Sequence, residues 1–256
     1  MTAARAVIDV ACAAAPEVRL RATAPQRWTL QRRASDGWHD LVHEVVGGGV
    51  FGGDVNRTTI RAGGGTRLAV RGISATPARG AGPAITATRL VAEAGSTILY
   101  LPGALIPQAG ADHTSSLRVE AAPGSRVLAA SIVVPGRSAM GERGCFARLR
   151  LRTLAHLDDR VVFAEDATLS PDIAPIDAPA AFAHDDAALS VVAIGEWAPA
   201  TLEWWTQIEV PQHVRCGASR LRESGVGYRA LCATLGDAIA MLEVIERAVR
   251  TSVVGA

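Results

Sequence analysis

The sequence has no lysine; all 26 of its basic residues are arginine. That absence removes Schiff-base chemistry, a Ser–Lys dyad and the lysine of a phosphate-binding loop. Aromatic residues make up only 4% of the chain. The four cysteines, Cys12, Cys145, Cys216 and Cys232, are scattered without CxxC or zinc-ribbon spacing, so reduced thiols are expected rather than a disulfide scaffold. No apolar run reaches the length of a membrane span, and no GxSxG elbow supports a serine hydrolase. Nor does one sign of charge dominate. With 26 basic and 25 acidic residues the net charge is +1, which argues against nucleic acid as a partner.

What is present describes a globular chain. It has 256 residues, 49% hydrophobic and 20% charged, enough for a substantial core. The Ala-rich run 6–13 follows Arg5 in the manner of a weak signal peptide, but Asp9 interrupts it and a strand explains it equally well. The chain reads as cytoplasmic. Between His156 and Glu209 the acids outnumber the bases, Arg160 standing alone against Asp158, Asp159, Glu165, Asp166, Asp172, Asp177, Asp185, Asp186, Glu196, Glu203 and Glu209. The expectation there is solvated loops, with an acidic face for a cation or basic partner as the alternative.

Most of residues 1–170 alternate β-branched residues with arginine and small residues, as in Thr58-Thr59-Ile60-Arg61, Leu68-Ala69-Val70-Arg71, Ile98-Leu99-Tyr100-Leu101 and Arg148-Leu149-Arg150-Leu151. A repeat runs through them. Gly65-Thr66-Arg67-Leu68, Gly95-Ser96-Thr97-Ile98 and Gly124-Ser125-Arg126-Val127 share a glycine, a small hydroxyl, a variable residue and an aliphatic, with the glycines 30 and 29 residues apart. Asp159-Arg160-Val161-Val162 reads as a fourth copy without its glycine. Strand, tight turn and strand at a fixed period predict a mainly β fold, a helically wound stack of short strands or hairpins like a β-solenoid. Residues 171–199, rich in Pro and Asp, read as a changeover. Residues 200–256 hold the last strands and an amphipathic helix whose stripe includes Leu235, Ile239, Leu242, Ile245 and Val249. That helix either covers a sheet or faces a partner. The whole chain, 1–256, is read as a single domain.

Two motif matches fail on context. Gly47, Gly49 and Gly52 fit GxGxxG, but a strand-like segment follows where a dinucleotide fingerprint needs a helix. His39-Asp40-Leu41-Val42-His43 imitates a zinc protease helix, yet glycines bracket it at 37 and 47. The alternative readings are a metal-dependent hydrolase using His39 and His43, or a generic β-solenoid interaction protein.

Two segments carry more. One is Gly47-Gly48-Gly49-Val50-Phe51-Gly52-Gly53-Asp54; the other is Leu101-Pro102 followed by Pro135-Gly136-Arg137-Ser138-Ala139-Met140-Gly141-Glu142. With the repeat between them and Gly225-Val226-Gly227-Tyr228-Arg229-Ala230-Leu231 before the C-terminal helix, the chain resembles the urease accessory protein D family, UreD, also called UreH. It departs from the family pattern in 73–80, which lacks the usual Lys and Tyr, and at Gly103, where Gln is typical. An acid usually precedes Pro135 and none does here.

The resemblance implies a non-enzyme: a scaffold that binds the F-type accessory protein and through it the GTPase G-type accessory protein, docks on apo-urease and assists nickel insertion. It implies no tightly bound cofactor, with nickel as transient cargo, and neither nucleic acid nor membrane as partner. Asp54 and Glu142, each in a glycine-flanked motif, are the candidate transient nickel ligands. The competing expectation is that Asp54 caps a turn and Glu142 pairs with Arg137 or Arg143. The stripe at Leu235, Ile239, Leu242, Ile245 and Val249 is the candidate partner-binding face.

Overall fold

The fold is taken from a computed structural model, which describes residues 3–11, 17–31 and 37–254; Cys12 lies outside them. In chain order the strands are β1 (Ala3–Ala11), β2 (Glu17–Ala22), β3 (Gln26–Leu30), β4 (Trp38–Val45), β5 (Val50–Phe51), β6 (Val55–Ala62), β7 (Arg67–Gly72), β8 (Thr76–Arg79), β9 (Pro83–Ala92), β10 (Thr97–Leu101), β11 (Leu105–Pro107), β12 (Asp112–Ala121), β13 (Arg126–Val133), β14 (Arg148–Leu157), β15 (Arg160–Leu169), β16 (Ala187–Ile194), β17 (Val214–Arg220) and β18 (Gly225–Cys232). Helix α1 (Leu202–Thr206) precedes β17 and helix α2 (Leu235–Val254) follows β18.

The middle of the chain winds as a parallel solenoid. Each coil contributes one strand to a first sheet, turns tightly, contributes one to a second sheet, and returns through a short third strand. In the first sheet β1, β6, β9, β12 and β14 run parallel side by side; in the second, β4, β7, β10 and β13 do the same. The short strands β5, β8 and β11 stack as a third wall. Antiparallel strands close both ends: β2 and β3 at one, β15 with β16, β18 and β17 at the other.

The 30- and 29-residue period of the glycines is the length of one coil. Thr97 lies beside Arg67 and Arg126, and Ile85 beside Val55 and Thr114. Gly65, Gly95 and Gly124 sit at φ of +73°, +75° and +77°. In each case the next residue donates its amide back three residues, at 3.0–3.1 Å. This is a β-turn whose third position needs positive φ, which explains glycine there. The hydroxyl residues behind the glycines are buried. Ser96 and Ser125 each donate from Oγ to the carbonyl three residues back at 2.6 Å, so the repeat's second position also has a structural cause.

Two expectations are corrected. Asp159-Arg160-Val161-Val162 does not begin a fourth coil: Asp158 takes the left-handed conformation and β15 turns back antiparallel on β14 as a hairpin. Pairing there ends the parallel winding. Residues 171–199 are not all changeover, since β16 within them lies between β13 and β18 in the second sheet.

In the acid-rich stretch several carboxylates pair with arginines rather than stand in solvent alone. Arg143 donates to Asp177 at 2.9 Å and Asp186 at 2.6 Å, Arg150 pairs with Asp166, Arg220 with Glu203, and Arg215 with Asp185.

The second sheet is buried on both faces. Inward, Leu41, Leu68, Val70, Ile98 and Val127 meet Ile60, Leu90 and Val119 of the first sheet. Outward, Trp38, Leu99, Leu128, Leu189 and Val191 meet α2 through Met241, Leu242, Ile245, Val249 and Val253. At about 1.5–3 kcal/mol per buried apolar side chain, the helix face contributes on the order of 10 kcal/mol of transfer free energy. Thr234 starts α2 as a capping box with Asp237, donating Oγ1 to the carboxylate at 2.8 Å and accepting the Asp237 amide at 3.1 Å. Arg250 lies 4.8 Å over the Trp38 ring, pairs with Asp40, and donates to Glu246 at 2.8 Å.

Coil-to-coil approach is tight at the third corner. A Cβ on Gly103 would lie 1.9 Å from the Ser74 carbonyl oxygen, whereas one on Gly124 or Gly217 meets nothing within 4 Å. Gly124 has positive φ. Urea unfolding should therefore rank three alanine substitutions. Gly103→Ala should cost about 2–3 kcal/mol by overpacking, Gly124→Ala about 1–2 kcal/mol from left-handed strain, and Gly217→Ala close to nothing. Equal costs at all three would contradict this coil spacing.

Candidate functional site

At the glycine-turn corner the two sheets close on mainly aliphatic side chains, with the buried Thr66, Ser96 and Ser125 at the turns themselves. Toward the opposite corner they diverge, and the inner side chains become polar around a cavity of about 620 Å³. On the first sheet the lining follows coil register: Asn56, Thr86 and Ser115 form one row, and Thr58, Thr88, Leu117, Thr153 and Glu165 the next. Across from them lie His43, Tyr100, Ser131, Ser190 and Arg229 of the second sheet. The lining extends from Gln26 on β3 to Gly217 on β17, the two edges of an eight-strand path. Seven strand spacings of ~4.8 Å put those edges roughly 34 Å apart.

Several of these groups are buried without a partner. Thr58 donates Oγ1 to Gln26 Oε1 at 2.9 Å, and Trp28 Nε1 approaches the same oxygen at 3.3 Å, but Gln26 Nε2 has no partner. The Asn56 amide has none at either atom, at 3% exposure. His113, 1% exposed, has none at either ring nitrogen, and His43 none at Nε2. Leaving such groups unmet costs about 1–3 kcal/mol each, so the cavity is built to hold water or a polar guest.

His43 stacks on Trp28 with ring centroids 4.3 Å apart. Burial pushes both His43 and His113 down to about 4, against a weak opposing pull from Asp112 on His113. Both imidazoles are therefore neutral near pH 7, with a ring nitrogen free to coordinate.

A profile of the UreD urease accessory protein family matches residues 6–256 of the chain. The chain belongs to the UreD family. It is 37% identical over 125 residues to the urease accessory protein UreD of Brucella suis, covering 48% of this chain and 45% of that protein. To the urease accessory protein UreD of Rhodopseudomonas palustris it is 37% identical over 150 residues, covering 58% and 52%. The matched stretch thus spans about half the length of these curated relatives.

The glycines and acids of the UreD-type motifs hold the scaffold, while Val50, Pro102 and Arg229 from the same segments line the cavity. Gly49 and Gly52 bring β5 against the next coil: a Cβ at either would lie 2.1 or 2.0 Å from the carbonyl oxygen of Pro77 or Ala81. Gly48 and Gly53 adopt positive φ around the same turns. Asp54 accepts the Phe51 amide at 3.0 Å and so caps the turn. Leu101 is buried on the second sheet, and Pro102 borders the cavity at the corner after it.

In the second motif Gly136 lies against the Glu142 carbonyl, and Gly141 ends a short 3-10 turn in the left-handed conformation. Arg137 donates Nε to Glu142 at 2.7 Å, and that guanidinium holds the carboxyl below its ordinary value. Asp54 and Glu142 are both absent from the cavity lining, so the structure does not bring the two sequence candidates to the polar path.

The histidine and helix expectations are corrected as well. His39 and His43 lie on strand β4, not a helix, and four residues along a strand separate them by about 13 Å. They cannot hold one metal ion together, which removes the hydrolase reading. Among the described residues no three His, Cys, Asp or Glu side chains converge. On α2, Leu242, Ile245 and Val249 are buried against the second sheet and so are covered by the chain itself; Leu235 is half-buried, and Ile239 keeps 44% exposure.

Of the cavity lining, the sequence points to His43 and Pro102 but not to the polar rows, although those carry a signal too. Asn56, Thr86 and Ser115 repeat at 30 and 29 residues, the same period as the turn glycines. Polar residues recurring in register on alternate strand positions mark a hollow inner face.

The two imidazoles set an acid response. An unfolded chain takes up their protons near 6.5, the folded chain not until about 4. Stability therefore rises with pH through that window and falls on acidification from 6.5 toward 4, by at most about 3 kcal/mol per imidazole. The thermal midpoint should drop steadily between pH 6.5 and 4.5, and His113→Leu should flatten roughly half of that slope. A flat midpoint in the parent chain would mean that both rings protonate in place.

Proposed function

We propose that this chain is a non-catalytic scaffold of urease maturation that passes nickel through its polar cavity toward apo-urease. In this reading it works with the F-type accessory protein and, through it, with the GTPase G-type accessory protein, in the cytoplasm. Membership of the urease accessory family supports the setting. The cavity, with unpartnered imidazole and amide groups along a path between the two ends of the solenoid, is the observation that carries the mechanism.

The chemistry fits a divalent cargo. Imidazole nitrogen suits Ni²⁺, and hydroxyl and amide oxygens add weaker contacts. Neutral His43 and His113 can each offer a nitrogen without first losing a proton. They sit on different strands, so an ion meets them one at a time with water completing its shell, and it is not trapped in a fixed cage. The surrounding threonines and serines hydrogen-bond that water. The apolar floor at the turn corner keeps the coils rigid, so the path does not close when a partner docks. For the F-type partner, the exposed side of α2 around Ile239 remains available, while the buried stripe anchors the helix.

Reconstitution provides the test. The chain is co-expressed with the F- and G-type proteins and urease subunits from one genome, and urease activity is followed after adding nickel and GTP. His113→Leu combined with Asn56→Leu should lower activation about tenfold, equivalent to roughly 1.4 kcal/mol, while co-purification with the F-type protein is unchanged. Full activation by the doubly substituted chain would overturn the nickel path. Failure of the parent chain to bind the F-type protein would overturn the scaffold.

A further inference from the structure

The cavity ends differ in what faces them. At the β15–β18 end, Glu165 of the first sheet and Arg229 of the second form an ion pair at 2.5 Å. Each belongs to an inward-facing row: Glu165 lies beside Thr153, and Arg229 beside Ser190. Both line the cavity. The pair therefore spans the gap between the two sheets at the last strands of the solenoid. The Arg229 guanidinium also lies 5.8 Å over the Phe163 ring, on the same strand as Glu165. Beyond it on the edge strand comes Gly217, which pairs with Arg229 and has open space where a side chain would stand. Glycine adds no side chain beside the pair, and Arg152 and Arg215 are the other charged residues that line the cavity near these last strands.

We propose that Glu165 and Arg229 form a gate that closes this end of the cavity and opens when the ion pair separates. The side chains are 27% and 47% exposed, so the pair is screened by salt and weak enough to exchange partners. Separation leaves Arg229 resting on Phe163 and able to pair with a carboxylate of a docking protein, while Glu165 is freed to face the passage. A cation moving outward then meets a carboxylate in place of a guanidinium. One charge-assisted contact replaces another, so opening needs little net energy. This goes beyond the nickel reading by stating what controls exit; its place in delivery rests on that reading, whereas the gate itself rests on geometry alone.

A nickel-free thiol assay tests it. Ser190→Cys places a thiol beside Arg229 on the inner face, in a chain whose Cys12, Cys145 and Cys216 are replaced by serine. The rate of modification by 2-aminoethyl methanethiosulfonate, a small cationic reagent, reads access to that thiol. Glu165→Ala or Arg229→Ala should speed modification roughly five- to tenfold. The charge-swapped double substitution, Glu165→Arg with Arg229→Glu, should restore a slow rate. Raising salt from about 0.05 M to about 1 M should accelerate the parent but not the Glu165→Ala chain. Equal rates across the series, or no restoration by the swap, would overturn the gate. If the single substitutions do not fold, a parent rate indifferent to salt does the same. Because the assay contains no nickel, its result is separable from any failure to activate urease.

Discussion

Successive coils are joined backbone to backbone, each strand of the first sheet paired with its counterpart one period later. Shifting one coil by a residue would turn every inner side chain outward, so the ladder can only be kept or lost as a whole. That constraint decides which residues become neighbours. It sets the turn glycines one above another and aligns Asn56 with Thr86 and Ser115. It also forces the third corner so close that Gly103 has no room for a side chain.

From the same ladder comes the division of the interior. Near the glycine turns the sheets converge, and aliphatic side chains fill the space. Farther out the gap is wider than those side chains span, and the rows change to threonine, serine, asparagine and histidine. Some polar groups there reach a partner across the gap, as Thr58 reaches Gln26, while Asn56 and His113 are left without hydrogen bonds. Helix α2 packs on the outer face of the second sheet, behind the cavity, through Met241, Leu242, Ile245, Val249 and Val253. Arg250, held between Trp38, Asp40 and Glu246, ties the helix to the first coil of that sheet.

Charge is handled locally throughout. Arginines meet acids across coils on the outer face of the first sheet, as Arg89 with Glu120 and Arg148 with Asp112 show. The near-neutral total is thus the sum of many short pairings. At the solenoid's far end one such pairing, between Glu165 and Arg229, faces inward instead, and there an ordinary ion pair becomes a barrier across the cavity.

By itself the sequence determined the winding. Glycine, hydroxyl and aliphatic residues at a period near 30 are local requirements of a tight turn between strands, and local requirements are written in consecutive residues. It likewise marked α2 by its apolar stripe, and it carried the glycine and arginine motifs that place the chain among the UreD proteins. Tertiary structure alone decided what those features face. Whether the stripe of α2 meets a sheet or a partner depends on the width of the second sheet, which forms from strands nearly 200 residues apart. Whether Glu142 meets an ion or Arg137 depends on a reversal of the loop between them. The cavity exists because three walls, each unremarkable in sequence, diverge at one corner. Its lining is an alignment of residues a whole coil apart, brought together only by the cross-coil register.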